Sequence, residues 1–215
     1  MGKPAVPIPW SDLTNICERL RSDGQWRDLL ILTIPRVSGF RVSDWSDICW
    51  HDILNDDGTP RDLLFIKQKK TSSFRTTPFS DQTKEIICTI RDNMIPYWND
   101  PDNPKADGVP SWLRKRLFPT KNGKERAAIT GNGMNYIIKK IFQRYGHPNW
   151  EDYSSHSLRK AYSIRLFNSY AEHDGADKAL IYVQHILGHR SALTTMKYLG
   201  IWQMNMAKAP QFLDL

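Results

Sequence analysis

The sequence predicts a mainly helical α+β domain carrying one small antiparallel sheet, and three observations predict it. Apolar residues recur at helical spacing near the start, over about residues 80–98, and through most of residues 131–199. Two short β-prone runs, LLFIKQ and FRTTPF, flank the basic turn KKTSS, as the arms of a hairpin would. No internal repeat or low-complexity tract points to a solenoid or a disordered chain.

Taken in order, residues 1–9 carry three prolines and read as an extended arm. Ser11 is placed to cap a helix running to about Ser22, with Leu13, Ile16, Cys17 and Leu20 on one face. Between Gln25 and Pro35, the set Trp26, Leu29, Leu30, Ile31, Leu32 and Ile34 is dense enough for a buried helix, and a further helical turn is expected around Val42 to Cys49. The turn DDGTP then leads into the hairpin. Helix resumes over Ser80 to Trp98, followed by a Pro, Asp and Asn-rich loop that reads as a surface insertion.

RLFPTKNGKERAAIT reads as extended chain, and Gly131 to Tyr145 as a helix with Met134, Ile137, Ile138, Ile141 and Phe142 inward. From Ser155 onward the pattern is helical in three pieces, HSLRKAYSIRLFNSYA, ADKALIYVQHILG and SALTTMKYLG. The expected organisation is residues 1–24 as arm and short helix, and residues 25–215 as one domain ending in a tail over about 199–215.

Thirty Lys and Arg against 23 Asp and Glu give a formal charge of +7, which favours a polyanionic partner while also suiting an ordinary soluble protein. Cys17, Cys49 and Cys88 are odd in number, widely spaced and without a CxxC pair, so neither a disulfide framework nor a zinc knuckle is suggested. No signal segment or membrane-length apolar run stands out, and a soluble protein of the cytoplasm or nucleoid is expected.

Three polar clusters carry the chemistry. His156 and Arg159 in SHSLRKAYS lie three apart, on one face near the start of a helix whose end favours an anion; alone, the pair reads as a solvated basic turn. In LGHRSALTTMKYLG, Gly188 breaks a helix, His189 follows, and Tyr198 comes nine residues later; alone, that tyrosine reads as a core aromatic. In SGFRVSDW, Arg41 opens a helix after a glycine turn with Asp44 three residues on, which alone is an intrahelical ion pair of little weight.

In order and spacing the three clusters resemble the tyrosine recombinases, or phage integrase family. SGFRVSDWSDICWHDI resembles the first family box, HSLRK the second and LGHRSALTTMKY the third, while IKQKKTSSFRTTPF is similar to the hairpin that bears the catalytic lysine. The resemblance covers roughly residues 25–205 and implies the DNA breaking-rejoining fold. It implies Arg41, Lys70, His156, Arg159, His189 and Tyr198 as the catalytic set, with Asp44 supporting. Lys67 and Lys69 compete with Lys70 for the lysine position. Lys67, Lys69, Arg75, Arg114, Lys115 and Arg116 read as DNA-backbone contacts or as solvent-facing charges.

Those residue types suit phosphoryl transfer without a metal. Two guanidiniums can clamp the nonbridging oxygens of a phosphodiester in a fixed fork. Tyrosine, with an ordinary pKa of about 10, must lose its proton during attack, and His156 is a plausible acceptor. The leaving 5′-oxygen needs a proton, which Lys70 on a hairpin tip can supply, and His189 can donate a hydrogen bond to the phosphate. His185 and His189 have i, i+4 spacing, but Ile186 stands where a zinc-binding HExxH motif needs Glu, so no metal or other cofactor is expected.

The resemblance further implies double-stranded DNA as partner, a homo-tetramer at synapsis, and the use of an accessory DNA-bending protein. Most family members carry a helical domain ahead of the catalytic one that completes a clamp on DNA, and about 24 residues precede the match here. After Tyr198, Leu199, Ile201, Trp202, Met204, Met206, Phe212 and Leu213 are anchors either for packing on the chain's own domain or for docking onto a neighbour. A type IB topoisomerase shares the constellation, and a DNA-binding regulator could keep the fold without turnover.

Overall fold

The computed structural model describes residues 5–70, 72–94, 111–118 and 129–201. Eight α-helices and one two-stranded sheet order along this part of the chain. Helix α1 (Trp10–Ser22) packs on α2 (Trp26–Ser38), whose residues Leu29 to Ile34 are buried without interruption, as a central helix requires. Pro9 rather than Ser11 occupies the N-cap of α1, because its φ of −54° suits the chain entering a helix; Ser11 lies inside the first turn. Helix α2 continues past Pro35 to Ser38. A proline in the last turn removes a single backbone donor, and the surrounding burial holds the remaining residues in place.

Gly39 ends α2 in the left-handed region at φ 60°. Helix α3 is shorter than the sequence suggests, spanning Val42–Trp45. Cys49, expected in that helix, instead forms an isolated antiparallel bridge with Arg116. The Asp52 carboxylate accepts the Cys49 N–H at 2.7 Å, and Leu117 N–H donates to the Ile48 carbonyl at 3.0 Å, so the segment around residue 116 runs beside residues 48–50. Trp45 meets Phe118 edge-on at 5.2 Å beneath this contact.

Strands β1 (Leu63–Lys67) and β2 (Phe74–Pro78) pair antiparallel with Ile66 opposite Arg75. Leu64, Ile66 and Thr77 point inward, while Phe65 and Phe74 stack at 5.0 Å on the outer face. Helix α4 (Asp81–Met94) follows, and residues 95–98 of the expected helix lie outside the described residues. So do most of the following loop, all of PTKNGKERAA and the tail from Trp202, with Met204, Met206, Phe212 and Leu213.

Helix α5 (Gly131–Arg144) is capped by Thr130, which accepts the Gly133 N–H, and buries Met134, Ile138, Ile141 and Phe142. Helix α6 (Ser155–Asp174) crosses α2. Helices α7 (Ala176–Leu187) and α8 (Ala192–Leu199) fold against it around a second small core of Val183, Leu187 and Leu199. Among the described residues no helix is long and apolar enough to cross a membrane.

Candidate active site

The chemistry-bearing residues arrive at one place from three directions. Arg41 stands at the N-cap of α3 in extended conformation, two residues beyond the Gly39 turn. That glycine is required twice. Its φ is positive, and a Cβ there would fall 2.2 Å from the Tyr162 ring. The close approach brings the Gly39 carbonyl to Arg159, whose Nη1 donates to it at 2.6 Å while Nη2 donates to the Leu187 carbonyl at 2.9 Å. Arg159, 3% exposed, thus ties the end of α2 to the end of α7.

His156 lies one turn before Arg159 on α6. The start of α6 is held by Asn135 on α5, whose side-chain oxygen accepts the Ser155 N–H at 2.9 Å, and by a bond from Ser154 N–H to the Ser157 hydroxyl. The Ser157 N–H is also engaged, by the Ser154 carbonyl. The backbone donors of Ser155 and Ser157 at this helix end are therefore already engaged, which leaves the side chains of His156 and Arg159 as the candidate anion contacts.

Helix α7 ends at Gly188, φ 65°, and the chain reverses into α8. The His189 N–H donates to the Gln184 carbonyl and the Gln184 amide donates back to the His189 carbonyl, fixing the turn. Ser191 caps α8, and Tyr198 lies in its last turn, with the His189 ring edge-on at 5.4 Å. Nδ1 of His189 lies 3.1 Å from the hydroxyl of Thr195, which is fully buried. His185, the second histidine of the pair, is exposed.

The electrostatics follow from this crowding of cations. Burial lowers the Arg159 pKa to about 10, with Arg41 and Arg75 adding to the shift and Tyr198 and Asp44 opposing it; at neutral pH it stays charged. Burial also lowers His189 to about 4, helped by Arg159, Arg41 and Arg75, so that ring is neutral. His156 is lowered as well, by burial and then by Arg159 and Arg41. Tyr198 is raised, because burial outweighs the attraction of Arg159 and Arg41. Two atoms of this group, the Tyr198 hydroxyl and Arg41 Nη1, are buried without a hydrogen-bond partner among the described residues, as is Oδ2 of Asp44. His156 and Tyr198 line one open cavity of about 410 Å³ with Ala5, Val6, Glu151, Asp152 and Ser154.

Five of the six expected catalytic residues, Arg41, His156, Arg159, His189 and Tyr198, thus share one site. Lys70 is exposed in the hairpin turn, and the turn is anchored to the site through its neighbour: Oδ1 of buried Asp44 accepts the Lys69 N–H at 3.1 Å. Lys69 itself pairs with Asp47 at 3.2 Å, and Arg116 reaches the same carboxylate. Lys67 lies over the Phe74 ring at 5.7 Å. Arg114 is exposed and Lys115 partly so. Arg75, expected to face outward, instead turns in: its Nη2 donates to the His185 carbonyl at 2.8 Å.

Sequence reasoning missed Tyr162, Thr195 and Asn135, which orient the site without belonging to any motif. Cys49, His51 and Asp52 bring potential ligand atoms within 4.8 Å of one another away from this site, but Asp52 already caps Cys49.

Comparison with known proteins agrees with this architecture. No curated protein matches the sequence. Among solved structures, XerA recombinase superposes with a TM-score of 0.62 at 16% identity, over 93% of this chain and 60% of that one. A Tn1549 transposon integrase in complex with circular intermediate DNA gives 0.59 at 17%, over 92% and 62%. XerH site-specific recombinase bound to its difH substrate gives 0.60 at 18%, over 100% and 56%. The chain spans about three fifths of the length of these neighbours. The family match itself covers residues 10–202, every cluster above included, and the chain belongs to the phage integrase family.

Proposed function

We propose that the protein is a site-specific DNA recombinase that cleaves and rejoins strands through a covalent 3′-phosphotyrosine at Tyr198. The observation that carries this reading is the pair of buried, unpartnered atoms, Arg41 Nη1 and the Tyr198 hydroxyl, beside a charged and largely desolvated Arg159. Each such atom costs about 1–3 kcal/mol if left unsatisfied. A DNA phosphate set between the arginines would accept from Arg41 and bring its phosphorus to the tyrosine oxygen.

The step then runs as an in-line displacement. The Tyr198 oxygen bonds to phosphorus, its proton passes to His156, the bond to the 5′-oxygen breaks, and Lys70 delivers a proton to that oxygen. The lowered pKa of His156 keeps the ring unprotonated and able to accept. The guanidiniums of Arg41 and Arg159 hold the charge that builds on the nonbridging oxygens, the task a divalent ion performs elsewhere. His189 contributes a neutral hydrogen bond: Nδ1 is engaged with the Thr195 hydroxyl, which leaves Nε2 to face the phosphate and, in the tautomer protonated there, to donate to it. A free 5′-hydroxyl of another strand reverses the step, and because the ester conserves the bond energy, neither ATP nor a metal ion is needed.

XerH bound to difH and lambda integrase bound to a COC′ core site are neighbours solved on DNA, which supports duplex DNA as the partner here. Assembly as a tetramer at synapsis, with help from a DNA-bending protein, completes the reading. The test is incubation in chelator with a duplex pool of randomised cores, followed by recovery of detergent-resistant adducts. A Tyr198-linked adduct that Tyr198→Phe abolishes is expected. An adduct that survives the substitution, or none from any pool, would sink the mechanism. Exchange between two recovered sites, rather than relaxation of supercoils alone, separates a recombinase from a topoisomerase.

A further inference from the structure

Arg75 is the residue whose observed place departs most from its expected one. It extends from β2 to the end of α7, where Nη2 donates to the His185 carbonyl at 2.8 Å, an oxygen that also accepts the Gly188 N–H at 3.1 Å. Gly188 lies so close beneath the guanidinium that a Cβ there would meet Nη2 at 2.3 Å. A second carbonyl of this helix end, that of Leu187, is taken by Arg159. Two guanidiniums from separate elements therefore cap the last turn of α7, where the helix concentrates negative partial charge.

The hairpin that carries Arg75 packs its inner face, Leu64 and Ile66, into the main core. It is a two-stranded sheet, a unit that is marginal without packing, and its outer face is exposed. Its tip is held where Asp44 accepts the Lys69 N–H, and its second strand where Arg75 meets α7. Burial and the adjacent Arg41 lower the pKa of the partly buried Arg75, with Asp44 and Tyr162 opposing.

We propose that Arg75 is a positioning residue that latches the hairpin onto the α7–α8 turn, so that Lys70 is presented to the same phosphate that Tyr198 attacks. This rests on the recombinase reading above. The latch acts on the leaving-group half of the reaction, because the element it restrains carries the proton donor, while α8 is already fixed by Arg159, Gln184 and the Ser191 cap. Arginine suits the task because its fork can hold a carbonyl and still offer donors to the site.

The experiment compares wild type, Arg75→Ala and Arg75→Lys on a duplex carrying a recovered site, made with either oxygen or sulfur as the bridging 5′ atom at the scissile phosphate. A thiolate leaves without a proton, so sulfur bypasses Lys70. At saturating DNA, Arg75→Ala should slow adduct formation on oxygen roughly tenfold to a hundredfold, the loss of one charge-assisted hydrogen bond. The sulfur substrate should restore most of that rate, and Arg75→Lys should recover part of it on oxygen. Equal slowing on both substrates overturns the proposal. So does weaker DNA binding with an unchanged rate at saturation, which would make Arg75 a backbone contact. Without DNA, Arg75→Ala should move the His189 ring titration upward, since one of its three facing cations is gone; an unmoved titration also overturns the latch. A wild-type protein that forms no adduct overturns the functional reading instead, and the ring titration still tests the contact.

Discussion

Neutral His189 gives a prediction that needs no DNA. Burial and the cations Arg159, Arg41 and Arg75 hold its pKa at about 4, against an ordinary 6.5. The folded ring therefore binds its proton later than the unfolded one as pH falls. Above about pH 6.5 both states are neutral and the group adds no pH dependence; below it the unfolded state takes up the proton first, and stability drops until the folded ring titrates near pH 4. Two and a half units at about 1.4 kcal/mol each set a ceiling of about 3.4 kcal/mol. The ring is only partly buried, so solvent screening reduces the expected loss to about 2 kcal/mol.

Urea unfolding of wild type and His189→Gln at about pH 7 and about pH 4.5 measures this, because carboxylates and His156 titrate in both proteins and cancel in the difference. Glutamine can still bond Thr195. The variant should lose about 1.5–2 kcal/mol less than wild type over that interval, most of the full effect. Equal losses would refute the reasoning, as would a ring that titrates by NMR at or above the ordinary value. On the recombinase reading, a bound phosphate would neutralise part of the cationic field and raise the His189 pKa, so DNA binding should take up protons between about pH 4 and 6.5.

Other residues give sharper single outcomes. Tyr198→Phe should abolish the covalent adduct while leaving thermal stability unchanged or slightly higher, since the buried hydroxyl lacks a partner; a large fall in Tm would show that the hydroxyl holds the fold. Arg159→Ala strands the Gly39 and Leu187 carbonyls and should cost about 3–5 kcal/mol by denaturant unfolding. Arg159→Lys should retain most of that stability yet lose roughly a hundredfold or more in adduct formation, because it keeps the charge without the fork. Gly39→Ala should destabilise by at least about 2 kcal/mol, from both its positive φ and the collision with Tyr162. Cleavage should decline as His156 protonates, at a pH below the ordinary histidine range because burial and the nearby arginines lower its pKa, and His156→Gln should remove that limb.

What the sequence made legible is what a local pattern can encode. Helices α2, α5 and α6 to α8 follow from apolar spacing and from the glycines that end them, and the hairpin from two β-prone runs about a basic turn. The candidate residues were found through their motif spacing, and the fold brings five of them together. What was not legible depends on contacts between distant segments. Cys49 left its expected helix because Asp52 caps it and the segment at Arg116 bridges to it. Asn135, Thr195 and Tyr162 orient the site from positions whose sequence neighbours say nothing of their partners. Arg75 looked like one more surface cation on a basic hairpin, since only the path of α7 reveals the carbonyl it meets.

That same contact shows how the site can hold three guanidiniums close together. Arg41, Arg75 and Arg159 are like charges set close together: Arg41 lowers the pKa of both Arg75 and Arg159, and Arg75 lowers that of Arg159. Arg159 offsets this with two backbone carbonyls, Arg75 with one, and among the described residues buried Asp44 is the carboxylate that acts on both Arg75 and Arg159. Arg41 is the member left with a buried donor unpartnered. The cationic field is therefore built and held by the protein's own carbonyls before any anion arrives, and the least satisfied cation is the one with most to gain from a phosphate. Removing Asp44 should accordingly do more than loosen the Lys69 contact: Asp44→Asn, which can still accept that N–H, leaves the three cations without their counter-charge. It should lower stability by about 1–3 kcal/mol in denaturant, and millimolar inorganic phosphate should restore more of that loss in the variant than it adds to wild type. Equal stabilisation of both proteins by phosphate would show that Asp44 does not balance the arginines, and that its role is confined to the hairpin tip.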